Sequence, residues 1–135
     1  MFLFNFKINI MELKELVKDY LSSEGYKCEV DEDGDLHFKY EGHHFFFCNN
    51  GDDEQFFRII MPNIYDLEDN RTRVLEAINK VTSEMKVLKS FLVEDHLWLS
   101  IEMFVSSTPN VEEYIVRCLD IMMEARKRIA AEIFD

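Results

Sequence analysis

The segment from Leu97 to Val105 constrains the fold more than any other. Leu97, Leu99, Ile101, Met103 and Val105 fall at every second position, and all five are apolar. Successive side chains of a strand point to opposite faces, so these five share one face. A face this uniformly apolar has to be covered, and helices are what the rest of the chain offers. The opposite face reads Trp98, Ser100, Glu102 and Phe104. Residues 55–61 repeat the pattern, with Phe57, Ile59 and Met61 on one side and Phe56, Arg58 and Ile60 on the other. A sheet with one solvated face shows polar alternation. Here the second face keeps Trp98, Phe104, Phe56 and Ile60. Two accounts stay open: the last helix or an N-terminal strand covers these aromatics within one chain, or the patch meets another chain. The chain has 12 Phe, which must largely be core, so the first account is favoured for most of these residues. A homodimer satisfies both. Trp98, Phe104 and Phe56 are the candidate partner-binding residues.

Upstream, Leu13, Leu16, Val17, Tyr20 and Leu21 recur at three and four, which predicts a helix opening near Met11. Gly25 is placed to end it as the C′ residue. Short strands follow around Cys28 and Val30, then on the alternation Leu36, Phe38, Tyr40, then from His43 to Cys48. "YEGHH" and "NNGDD" are the turns between them, and Asn50-Gly51 is a hairpin signal. Residues 55–61 form another strand that Pro62 closes. A second helix is expected from about Leu67 to Met85, then strands Val87 to Val93 and Leu97 to Val105 joined by "EDH". Asn110 and Glu113 suggest a capping box for the last helix, with Thr108 as an alternative cap. That helix reaches about Ile133 on the stripe Val111, Ile115, Cys118, Met122, Ala125 and Ile129. Arg126, Lys127 and Arg128 near its end suit the helix dipole. The order is helix, three or four strands, helix, two strands, helix. Short turns make most neighbours antiparallel, so the class is α+β, not a βαβ fold.

A chain of 135 residues is expected to form one domain, residues 11–135. Residues 1–10, "MFLFNFKINI", alternate apolar and mostly polar positions. They read as an N-terminal extension forming an edge strand, or as a mis-called start with Met11 opening the protein. They are too short and too polar for a signal peptide. No apolar run approaches the ~20 residues of a membrane span. The net charge of −12 argues against a nucleic-acid partner and an anionic membrane, and favours a basic protein partner. Three widely spaced cysteines without a CxxC fit a reduced, cytoplasmic protein.

Asp31, Asp33, Gly34 and Asp35 look at first like part of a calcium loop. With Gly34 at loop position 6, Glu29, Asp31 and Asp33 fall at positions 1, 3 and 5. Tyr40 then stands where a glutamate is needed, and strands rather than helices flank the loop. A hairpin turn is the better reading. His43 and His44 point to opposite faces of a strand and cannot chelate one ion together. A metal-binding or enzymatic site built from His37, His44 and Cys48 is the alternative function, and it lacks zinc-type spacing. Cys28, Cys48 and Cys118 have no basic neighbour in sequence to activate them. No GxSxG, P-loop, dinucleotide fingerprint or HExxH occurs. No catalytic, metal or cofactor residue is assigned.

Four stretches carry a family resemblance: "LSSEGYKCEVDEDGDLHFKYEG", "HHFFFCNNGDDEQFFRIIMP", "LEAINKVTSEMKVLKSFLVEDHLWLSIEMFV" and the C-terminal amphipathic helix. From Met11 onward the chain resembles the YbjN family, which is similar in fold to the type III secretion chaperones. The resemblance implies a secretion-chaperone-like α+β fold. It implies a small, acidic, dimeric, non-enzymatic bacterial protein that binds a protein segment, in a chaperone- or regulator-like role. It transfers no functional residue, because the shared positions are turns and packing sites.

Overall fold

The computed structural model describes residues 12–134. The expectations for residues 1–10 lie outside them. The chain order is α1 (Leu13–Ser23), β1 (Cys28–Val30), β2 (Leu36–Tyr40), β3 (His43–Phe47), β4 (Phe56–Asp66), α2 (Arg71–Glu84), β5 (Leu88–Val93), β6 (His96–Phe104) and α3 (Ile115–Phe134), with a 3-10 turn at Val111–Glu113 before α3. Four strands therefore separate the first two helices. All the strands join one sheet in the order β1-β2-β3-β4-β6-β5, and every neighbouring pair is antiparallel. Helix α2 carries the chain from β4 to the far edge at β5, and β6 returns between them. The class is α+β, as the pattern predicts.

Local chemistry explains the joints. At the end of α1 the Tyr26 amide donates to the Leu21 carbonyl and the Gly25 amide to that of Ser22. With Gly25 at φ +93°, this is the Schellman closure that satisfies the orphan carbonyls of a helix end. Between β2 and β3 only Glu41 and Gly42 turn the chain, at φ +48° and +81°. Two positive φ values give the type I′ turn whose twist matches the strands it joins.

Some boundaries differ from the pattern reading, each for a physical reason. Pro62 does not close β4, which runs on to Asp66. The ladder with β6 slips between Met61 and Tyr65, and Asn63 takes φ +52° there. A bulge frees Pro62 from donating to the ladder, and the strand resumes beyond it. Helix α2 starts at Arg71, not near Leu67, because Glu68 takes φ +46°, outside the right-handed helix, while the Leu67 amide is held by the Asp95 carbonyl at 3.0 Å. Asn110 makes no side-chain cap bond, so there is no capping box; a 3-10 turn leads in and α3 opens at Ile115. Arg126 to Arg128 fall short of the end of α3, whose last turn carries no basic residue.

The core sits on one face of the sheet. Phe38, Phe45, Phe57, Ile59, Leu97, Leu99 and Ile101 are buried there with Val17 and Leu21 of α1, Val74 and Val81 of α2, and Ile115, Met122 and Ile129 of α3. Burial of a side chain of this size contributes about 1.5–3 kcal/mol, so this single layer carries most of the stability. The helix α3 does not cover the second set of aromatics, as the first account proposed. Its stripe matches the fully apolar face and packs there. Among the described residues, no helix is long and apolar enough to cross a membrane.

Candidate functional site

The face of the sheet turned away from the helices carries the candidate site. Strand parity sends Phe56, Arg58 and Ile60 of β4 to it, with Trp98, Ser100, Glu102 and Phe104 of β6, Lys89 and Phe91 of β5, and His37, His44 and Phe46 of β2 and β3. Phe56 and Phe104 are direct cross-strand partners with ring centroids 6.0 Å apart. Phe104 is 85% exposed. An exposed phenylalanine at a strand end, beside a second one, is an apolar surface that no other element among the described residues covers.

Trp98 stands six residues away along β6. Its indole N–H donates to the Asn63 Oδ1 at 3.0 Å. The bulge of β4 supplies that anchor, since it is the positive φ of Asn63 that interrupts the ladder there. Phe91 flanks the indole at 6.3 Å. The structure thus brings Phe56 and Phe104 together and sets Trp98 apart from them on the same face.

A polar network lies between the two aromatic areas. The Ser100 hydroxyl donates to Glu102 Oε2 at 2.7 Å, Lys89 Nζ approaches the same oxygen at 3.2 Å, and Arg58 Nε lies 3.9 Å from Oε1. Burial works to raise the Glu102 carboxyl, but the Ser100 hydroxyl, Lys89 and Arg58 together outweigh it and hold it below its ordinary value. This ionised pairing explains how a fully buried Ser100 is tolerated.

At the other end of the face, His37 Nε2 and His44 Nδ1 are 2.7 Å apart, and the rings stack with centroids 4.9 Å apart. The structure brings these two histidines together, as neighbouring strands allow, but Cys48 does not join them as a third ligand. Among the described residues, the trio of potential ligands within 4.8 Å of one another is Asp31, Asp33 and Asp35. Burial pushes the Cys48 and Cys118 thiols up to about 11, and that of Cys28 upward too, so none has the lowered value of a reactive thiolate.

Asp31 to Asp35 form the hairpin turn expected from their sequence. Asp31 Oδ1 accepts the amides of Asp33 and Asp35, both at 2.9 Å. Asn49 closes the turn from outside: its amide donates to Asp35 Oδ1 at 2.6 Å and its side chain to the Asp33 carbonyl at 3.2 Å. Gly34 suits this turn by its backbone, and a side chain there would also displace the Asn49 amide. Its φ is +82°, and a Cβ there would stand 2.6 Å from Asn49 Nδ2. Pattern reading missed what this turn adjoins. With Phe46, Ile60 and Trp98 it lines a shallow groove on the open face. Phe46 is not legible as a face residue inside the run Phe45-Phe46-Phe47, where three like residues give no contrast between faces. Only strand parity, counted from His44, separates it.

Comparison with known proteins agrees with this architecture. A solved structure titled as an uncharacterized protein from Methanothermobacter thermautotrophicus superposes with a TM-score of 0.56 at 13% identity, covering 90% of this chain and 99% of the other. That likeness concerns the fold alone. No curated protein matches. The family model described as "T3SS (YopN, CesT) and YbjN peptide-binding chaperone 1" matches residues 11–135. The whole described chain lies within that match, and the chain therefore belongs to this family of peptide-binding chaperones.

Proposed function

We propose that this protein is a non-enzymatic, cytoplasmic chaperone that holds an extended segment of a client protein against the open face of its sheet. The observation that carries the reading is the open face: among the described residues all three helices pack on the other side, and Phe104 is left 85% exposed beside Phe56. Family membership supplies the ligand class, a peptide. Extended segments present side chains at alternate positions, and two separated aromatic areas can take two of them. Trp98, Phe104 and Phe56 are the residues proposed to make those contacts. The protein acts as a homodimer, and its acidity, −12 per chain, favours basic clients.

Trp98 is the only tryptophan, so its emission reports on the open face directly. A panel of dye-labelled extended peptides with apolar residues at alternate positions provides the probe. Binding is expected to raise peptide anisotropy and shift Trp98 emission. Phe104→Ser should weaken binding several-fold while leaving thermal stability unchanged, because an exposed side chain contributes little to the fold. Failure of every peptide to bind, or full affinity in F104S, would rule the reading out.

A further inference from the structure

The groove beside Trp98 has a more specific chemistry than the rest of the open face. Its floor is Phe46, Ile60 and Trp98, and its wall is Asp31, Asp33 and Asp35. It holds about 280 Å³, just below the range for small-molecule pockets, roughly 300–1,000 Å³. That size suits one long side chain. We propose that this groove takes a lysine or arginine side chain of the bound client segment; this rests on the peptide-binding reading above and names what one position of the peptide must be.

Charge complementarity selects the occupant. Three carboxylates gather within 4.8 Å at the groove's edge. Among the described residues, no lysine or arginine forms an ion pair with any of them. Lys14, which is near, gives its ammonium to the Gly34 carbonyl at 3.2 Å. One oxygen of Asp31 and one of Asp35 are used to hold the turn, whereas among the described residues the Asp33 side chain accepts no protein hydrogen bond. Negative charge therefore borders an apolar floor that ends in an indole. An anionic side chain is repelled there, and a purely aliphatic one leaves the carboxylates unanswered. A lysine or arginine fits both parts: its methylene stem lies on Ile60 and Phe46, its charge meets the carboxylates, and the indole face adds a cation–π contribution. The Asn63 bond that fixes the indole and the Asn49 bonds that fix the turn make the two halves of this clamp rigid before the client arrives.

The test uses one host peptide with apolar residues at alternate positions and a single central residue varied among arginine, lysine, norleucine and glutamate. Anisotropy of the labelled peptide is read against the full-length protein, with Trp98 emission reporting the site. The arginine and lysine peptides should bind about tenfold more tightly than the norleucine peptide, and the glutamate peptide weakest. Asp33→Asn should remove most of that preference without lowering affinity for the norleucine peptide; because the Asp33 carboxylate holds no part of the turn, the fold should be unchanged. Equal affinity for the arginine and norleucine peptides would overturn this proposal and leave the peptide-binding reading standing. Binding by none of the four would fell that broader reading as well. Calcium alone is a further arm: if it binds the Asp31–Asp33–Asp35 turn and excludes the arginine peptide, the carboxylates serve a cation and the assignment to a client side chain is wrong.

Discussion

Glu102 shows how one residue can organise an otherwise apolar surface. Its side chain is 22% exposed, it takes the Ser100 hydroxyl, and it faces Lys89 and Arg58 from two neighbouring strands. Removing the charge leaves Arg58, whose Nε is buried without a close hydrogen-bond partner, still less well answered. Glu102→Gln should therefore cost about 1–2 kcal/mol at neutral pH, read as a shift in urea midpoint. The pH dependence follows from the direction of the carboxyl. Burial opposes ionisation, but Ser100, Lys89 and Arg58 prevail, so the folded value lies below the ordinary 4.5. The stabilisation is present above 4.5 and is lost as pH falls through the folded value. The gap between wild type and E102Q should accordingly close in acid. A gap that persists at low pH would mean that packing, not charge, explains the loss.

Among the elements, β2 and α3 are joined by a bond that no local pattern announces. The Tyr40 hydroxyl donates to Asp120 Oδ1 at 2.6 Å, across eighty positions of sequence. Tyr40→Phe removes that bond and leaves Asp120, which is exposed, free to hydrate. A cost of about 1 kcal/mol is expected in urea unfolding, with peptide binding unaffected, since Tyr40 faces the core. The Asp120 hydrogen bond, with burial second, raises the Tyr40 phenol above the ordinary 10.0. Its stabilisation is whole below 10.0 and lost as pH rises through the folded value, so Y40F and wild type should converge in alkali. The same contrast between local and distant explains what the sequence makes legible. The strand β6 and the helices α1 and α3 announce themselves because each repeats an apolar residue at its own period. The continuation of β4 past Pro62 is not legible, because a bulge that spares a proline leaves no periodic trace. Leu67 fits the helical stripe and so extends the expected α2 too early, because the left-handed backbone of Glu68 and the Asp95 carbonyl that holds the Leu67 amide leave no periodic trace. The outer aromatics Phe56, Phe104 and Trp98 were legible as a face. The groove beside Trp98 was not, since Asp33 and Trp98 meet only once the β1–β2 turn and the bulge of β4 are in place.

At the scale of the whole molecule, the sheet ends, among the described residues, in two edges of different character. The edge strand β1 has three residues, and beside it Lys27 and Glu29 pair at 3.3 Å. The edge strand β5 has six residues and no proline, and among the described residues only β6 pairs with it. An edge of that length is a template for a second strand. Two copies related by a twofold axis can pair β5 with β5 and keep both open faces on the same side, leaving a longer surface for an extended client. The proposed homodimer is therefore expected to use this edge and not the aromatic face. Light scattering should give twice the 16.1 kDa of one chain, both for wild type and for F104S. Chains beginning at Met1 and at Met11 should agree. A monomeric mass would remove the dimer, and a mass that falls only in F104S would move the interface to the open face. Salt separates the two kinds of association. Each chain carries −12, so two copies repel, and screening should tighten the dimer. A basic peptide is attracted by the same charge, and screening should loosen it. Opposite salt dependence of self-association and peptide binding is the result this arrangement requires, because a single surface serving both would be driven by one balance of charge and apolar contact.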